Sequence, residues 1–276
     1  MTTIAARSGI RAGLIELRQS FTGTALIGQL FWPVATLVTI WLLRRLQVAG
    51  TGLGPLILPS TVGMFVALGM LLTAQQLAAD REDGTLLRAK ATPNGIRGYL
   101  IGKFANVSAT VLAYLIILLL PGALIIGGLS ITPSRLLTLS WVLALGLIAT
   151  QAIGAVLGAL VQSSRSAGIL SLPLIGLIAI SGIFYPITAL PAWIQTIGQI
   201  FPVYWLGLGM RSALLPGAAN AIEIGSTWRH LQTAAVLGAW TVAGLAIAPI
   251  VLRRMARKES GSRVAQQRER LQGRVG

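Results

Sequence analysis

Cysteine is absent from the 276 residues, and histidine occurs once, at His230. The first absence excludes disulfides and thiolate metal sites. The second leaves no histidine cluster for a metal and no neighbouring acid to complete a catalytic triad, so His230, beside Trp228 and Arg229, reads as a plain interfacial residue. Acids are scarce as well. There are seven (Glu16, Asp80, Glu82, Asp83, Glu223, Glu259 and Glu269), and all lie outside the apolar blocks described below. Ion-coupled carriers usually keep an ionisable group within the bilayer, so proton coupling through a buried carboxylate is disfavoured. Lysine is represented only by Lys90, Lys103 and Lys258. None of them closes the G-x-x-x-x-G-K-[S/T] phosphate loop, so a process driven by ATP needs its nucleotide site on another chain. No serine sits in a nucleophile elbow.

Charged residues make up 11% of the chain, hydrophobic residues 54%, and mean hydropathy is +0.77. A soluble surface needs about a quarter charged residues. The apolar residues come in blocks of about 20, the length of helix that crosses about 30 Å of hydrocarbon. The sequence therefore predicts an all-α membrane protein with about six transmembrane helices, at 22–43, 57–79, 104–128, 137–161, 169–188 and 231–252. The first block runs past 20 residues to Arg44 and Arg45 without a small-x-small cleavage pattern, so it is not read as a cleaved signal peptide. The net charge of +15 does not indicate nucleic acid, because the basic residues lie between apolar blocks and in the tail, not on a basic soluble fold.

Residues 1–21 are expected to form an N-terminal interfacial helix; the alternative is a short cytoplasmic lead-in without membrane contact. Ile10, Leu14, Leu17 and Phe21 share one narrow face, flanked by Arg7, Arg11 and Arg18, which can snorkel to lipid headgroups. The apolar stretch 189–210 is cut by Pro191 and Pro202. The ten residues between them make about 15 Å of helix, half a bilayer, so this segment is expected to be re-entrant or interfacial at the outer face. Charge distribution supports six spans over seven. With the N-terminus inside, 17 of the 22 basic residues are cytoplasmic: Arg7, Arg11, Arg18, Arg81, Arg88, Lys90, Arg97, Lys103, Arg165 and the eight of the tail 253–276. Arg44, Arg45, Arg135, Arg211 and Arg229 remain outside. This is the inside-positive pattern. It predicts a multi-pass inner-membrane (plasma-membrane) protein with both termini cytoplasmic. In the fourth span Gly146, Thr150, Gly154 and Gly158 recur every four residues, a stripe that admits a close helix neighbour. That neighbour belongs either to the same chain or to a second copy.

The cytoplasmic loop 80–103 carries the most information. Gly84 and Pro93 bracket a short helix that Asp83 or Thr85 could cap. A charged helix held between two spans suits docking of a soluble partner; the alternative is a charged loop that only enforces topology. The run Glu82-Asp83-Gly84-Thr85-Leu86, followed by Ala91-Thr92-Pro93 and Tyr99-Leu100-Ile101-Gly102-Lys103, resembles the cytoplasmic signature of type-2 ABC exporter permeases. The segment Ser181-Gly182-Ile183-Phe184-Tyr185-Pro186-Ile187, through Leu190, Pro191 and Trp193 to Pro202 and Arg211, resembles that family's second signature. Among its subgroups the likeness is to the daunorubicin-resistance permeases.

The resemblance implies that Glu82, Asp83, Gly84, Thr85, Leu86 and Arg88 couple the chain to a separate ABC ATPase subunit. It likewise implies that Gly182, Phe184, Tyr185, Pro186, Leu190, Pro191, Trp193 and Pro202 belong to a re-entrant outer segment. ATP and Mg would enter through that partner, with no cofactor bound by this chain, and a second permease copy would complete a transporter set among membrane lipids. Leu87, where the family often has an acid, and Lys90, where it often has an apolar residue, depart from the pattern. The implied function is export of a hydrophobic or amphipathic small molecule or lipid. The rivals are a self-sufficient carrier or channel and a membrane enzyme.

Overall fold

In the computed structural model, residues 2–23, 25–43, 47–48, 51–91, 95–126, 132–161 and 168–272 are described. Arg44, Arg45, Thr92, Pro93 and Arg165, invoked above, lie outside them. Among the described residues the α-helices with defined bounds are α1 (Thr2–Ser20), α2 (Ala25–Leu43), α3 (Leu53–Glu82), α4 (Thr85–Lys90), α5 (Gly95–Ile126), α6 (Pro133–Leu160), α7 (Ser171–Ile180), α8 (Ala192–Ile200), α9 (Pro202–Leu214) and α10 (His230–Gln272). A two-residue antiparallel ladder, Gln47–Val48 with Thr51–Gly52, joins α2 to α3.

Among the described residues, five helices contain stretches long and apolar enough to cross a membrane: Leu26–Leu43, Leu56–Glu82, Gly95–Ile126, Pro133–Leu160 and His230–Met255. The chain is an all-α membrane protein. Among the described residues, the block expected as a fifth span, 169–188, holds the ten-residue helix α7. That is about 15 Å of helix. The helix stops because Gly182 turns the backbone left-handed at φ +62°, and Pro186 then heads a 3₁₀ turn at Ile187–Ala189.

Two buried clusters mark the ends of the bundle. At one end Leu77 of α3, Leu86 of α4, Ile96 and Leu100 of α5, Ala155 and Ala159 of α6, and Leu252 and Met255 of α10 pack together. At the other, Val62 and Phe65 of α3, Val111 and Leu118 of α5, Val142 of α6, Ile183 and much of α9 form the larger core. These are termed the α4 end and the far end. Because α6 finishes at the α4 end and Ile183 lies at the far end, the chain covers the bundle length once more between them.

The stripe on α6 faces α3 of the same chain. A side chain at Gly154 would collide with the carbonyl of Met70, and one at Gly158 would lie 2.8 Å from Ala74 Cα. Thr150 donates to the Val66 carbonyl at 3.2 Å. Gly146, one turn further, makes room for Leu206 of α9. Proline interrupts the hydrogen-bond ladder inside α2 (Pro33), α3 (Pro59), α5 (Pro121) and α10 (Pro249). In α6 the only proline is Pro133, at the first turn, where no donor is lost and Thr132 caps the Arg135 amide.

Helix α1 runs in the same direction as α5, with Gly9 against Gly98 and Gly13 against Gly102. The seam is so close that a Cβ on Gly102 would stand 2.6 Å from the Gly9 carbonyl oxygen. Ile10 and Leu14, on the face expected to meet the membrane, remain exposed, so burial of α1 rests on its glycines. The last helix, α10, continues past its apolar part to Gln272, which makes most of the 253–276 tail an extension of that helix.

Candidate functional site

Helix α3 ends at Glu82, and two residues turn the chain into α4. Gly84 occupies the N-cap position at φ +71°, a conformation that costs an L side chain about 1–2 kcal/mol. Neither Asp83 nor Thr85 caps the helix as expected, since no side chain bonds its first amides. The left-handed glycine sets the entry angle, and Asp83 stays exposed. Arg88 folds back instead, donating to Thr85 Oγ1 at 3.1 Å.

Of the six residues assigned to coupling, Leu86 is fully buried, in the α4-end cluster with Leu77, Ile96, Leu100 and Leu252. Glu82, Asp83 and Arg88 are exposed, Gly84 is buried and Thr85 is half-buried. The arrangement is a short lever with one apolar root and a charged outer side. It packs directly against α3, α5 and α10, and its root belongs to a cluster that also takes in Ala155 and Ala159 of α6.

Beside the lever lies a polar cluster that the sequence did not disclose. Lys103, expected as a loop charge leading into a span, is 4% exposed within α5. Its Nζ lies 2.8 Å from Asp80 Oδ2 on α3 and 3.0 Å from Glu16 Oε2 on α1. Tyr99 donates to Asp80 at 2.6 Å, and Asn106 donates to Glu16 at 3.0 Å and to Gln76 at 3.3 Å. Arg81 reaches across to the Val161 carbonyl at 2.7 Å. The cluster ties α1, α3 and α5 within a turn of the lever. The only advance signal was Lys103 itself, since Glu16 is 87 residues away.

At the far end the eight residues of the second signature separate into three sets. Gly182, Tyr185, Pro186 and Leu190 shape the turn after α7, where Tyr185 donates to the Ala179 carbonyl. Phe184 and Trp193 stay exposed, at 43% and 66%. Pro191 precedes α8, and Pro202 opens α9 at its first position. Helix α9 is buried almost throughout and packs among α3, α6 and α10.

Inside this end, Arg211 and Glu223 form an ion pair at 2.6 Å with side chains 3% and 0% exposed. Arg211 Nη1 also donates to the carbonyls of Gly182 and Ile183, at 3.3 and 3.0 Å. One guanidinium thus joins α9, the turn after α7 and the loop before α10. The sequence reading placed both charges in an outer loop. Nearby, Arg229 donates to Gln199 Oε1 at 2.7 Å and lies 4.8 Å from the Trp205 ring.

Between the ends is an apolar cavity of about 460 Å³. Met70 of α3, Leu157 of α6, Leu174 and Leu177 of α7, and Trp240 of α10 are among its walls. Among the described residues, no titratable side chain lines it. Trp240 stacks on Phe201 at 6.3 Å and donates to the Ile200 carbonyl at 2.9 Å, which fixes that wall to the turn between α8 and α9.

The sequence profile of a family described as "ABC-2 family transporter protein" matches residues 44–250. No curated protein matches the chain significantly. The matched region runs from the α2–α3 connection through α10 and contains α4, the cavity and the far-end ion pair.

Proposed function

The chain belongs to the ABC-2 transporter family, and from that premise we propose that it is the permease subunit of an ATP-driven exporter, working with a separate ABC ATPase. The observation that carries this reading is α4: a six-residue helix rooted by Leu86 among four long helices, with Glu82, Asp83 and Arg88 outward. A soluble ATPase gripping the charged side would move the apolar root, and the α4-end cluster would spread that motion to α3, α5, α6 and α10. ATP and Mg belong to the partner. The α4 end is then cytoplasmic, both termini lie there, and the far end with α8 and α9 is the outer mouth.

The cargo in this reading is a hydrophobic or amphipathic small molecule or lipid. The cavity's apolar walls support that class, and the signature resemblance makes drug-type efflux by a pair of permease copies the specific form proposed. Charged cargo is disfavoured, because desolvation would go uncompensated against such walls.

The test is a paired variant, Gly84→Val with Glu82→Lys, compared with the parent for membrane level, ATPase co-purification and substrate-stimulated hydrolysis. Membrane level should be unchanged, while partner binding or stimulation falls, since a reversed charge at a close interface costs several kcal/mol. Parental coupling in that variant, or robust ATP hydrolysis by the purified chain alone, would exclude the assignment.

A further inference from the structure

Helices α5 and α10 part at the α4 end to leave a groove of about 460 Å³ opening on the lipid-facing side. On α5 it is lined by Arg97, Ile101 and Phe104, spaced four and three residues apart and so on one helix face. On α10 it is lined by Arg253, Pro249 and Ile250, with the small residues Ala246 and Ala248 giving it depth. The two helices run in opposite directions. Arg97 near the start of α5 and Arg253 late in α10 therefore stand at the same end of the groove.

Both arginines are exposed, and among the described residues neither is paired with an acid. From Arg97 to Phe104 the groove runs about 10 Å along the helix axis, cationic at one end and apolar beyond. Ile101 and Ile250 are 37% and 52% exposed along it. A free anion would leave the apolar length unused, and a neutral lipid would leave two guanidinium groups without a counter-charge.

We propose that this groove is a binding site for an anionic glycerophospholipid of the adjacent leaflet, its phosphate held between Arg97 and Arg253 and an acyl chain lying along Ile101, Phe104 and Ile250. Basic pockets between transmembrane helices at a membrane surface bind anionic headgroups in this way, and guanidinium suits phosphate through paired hydrogen bonds. A bound lipid would wedge α5 against α10 one turn from the α4-end cluster. The site depends on the membrane placement of these helices and not on an ATPase partner.

The full-length chain, purified in neutral detergent, is titrated with phosphatidylglycerol or phosphatidylcholine, and the retained lipid is counted by native mass spectrometry. The parent should retain phosphatidylglycerol in preference. Arg97→Gln with Arg253→Gln should weaken its apparent affinity about twenty- to thirtyfold, from about fivefold per basic residue, and leave phosphatidylcholine unchanged. Ile101→Trp keeps both charges and fills the groove, so it should weaken phosphatidylglycerol too. Arg7→Gln with Arg11→Gln, on the exposed side of α1, removes the same charge outside the groove and should cost clearly less than the groove pair, and inorganic phosphate should not displace the lipid. Unchanged retention in the groove arginine variant, an equal loss in the α1 variant, or no response to Ile101→Trp would each overturn the site in favour of general surface attraction.

Discussion

At the far end Arg211 and Glu223 meet with side chains 3% and 0% exposed, whereas at the α4 end Lys103, 4% exposed, is shared by Glu16 and Asp80 at 42% and 17%. The far-end pair is exclusive, with one cation, one carboxylate and two backbone carbonyls sealed from water, and with Arg211 Nη2 and Glu223 Oε2 buried without a partner among the described residues. The α4-end cluster is redundant and open to water along its acids. A buried pair that loses one member leaves an uncompensated charge, while a cation with two carboxylates can lose one and keep a partner. The far end is built to hold one arrangement, and the α4 end to tolerate adjustment where a lever enters the bundle.

The strongest way to break this contrast is Glu223→Ala, which should destabilise the detergent-solubilised chain by about 3–5 kcal/mol in thermal or denaturant unfolding. Replacing both partners by apolar residues, Arg211→Met with Glu223→Leu, should recover much of that loss. If the single variant loses no more than Glu16→Gln, the two ends do not differ as argued. Next comes Leu86→Ala, expected to cost about 2 kcal/mol, the low end for a buried leucine because α4 is short and peripheral. Its loss should appear as faster proteolysis around residues 80–93 before global unfolding.

Gly13→Val should follow, at about 1–3 kcal/mol, because a branched side chain cannot fit against the Gly102 carbonyl. Release of α1 to protease is the local readout. Glu16→Gln should be the mildest, at about 1 kcal/mol or less, since Asp80 remains 2.8 Å from Lys103 and Glu16 is partly solvated.

Much of this molecule could be read from one-dimensional pattern. Long apolar runs dictate long helices, a small residue every fourth position on α6 dictates a close neighbour, and a glycine between Asp83 and Thr85 marks a turn. Pairings that depend on distant segments could not be read. Arg211 and Glu223 are twelve residues apart in irregular sequence, so no periodicity links them, and charge counting assigned both to solvent. Lys103 was misplaced for the same reason, because the carboxylates that make its burial tolerable come from α1 and α3. The α1–α5 seam was present as Gly9, Gly13, Gly98 and Gly102, but the arginines and leucines of α1 drew the reading to its other face. In the fifth block apolar composition continues beyond the point where Gly182 ends α7, so composition alone did not show that break.

Among the five long apolar helices, α6 alone has no proline after its first turn. Each interior proline elsewhere deletes a backbone hydrogen bond and lowers the resistance of that helix to bending. Helix α6, about 42 Å of uninterrupted ladder, is the stiffest rod in the bundle and reaches from the Leu86 cluster to the Leu206 contact. Its neighbours α3 and α10 carry softer points at Pro59 and Pro249. Strain applied at one end would therefore be taken up by flexure of these two around a fixed axle, with the separation of the ends along α6 held constant while their relative tilt changes.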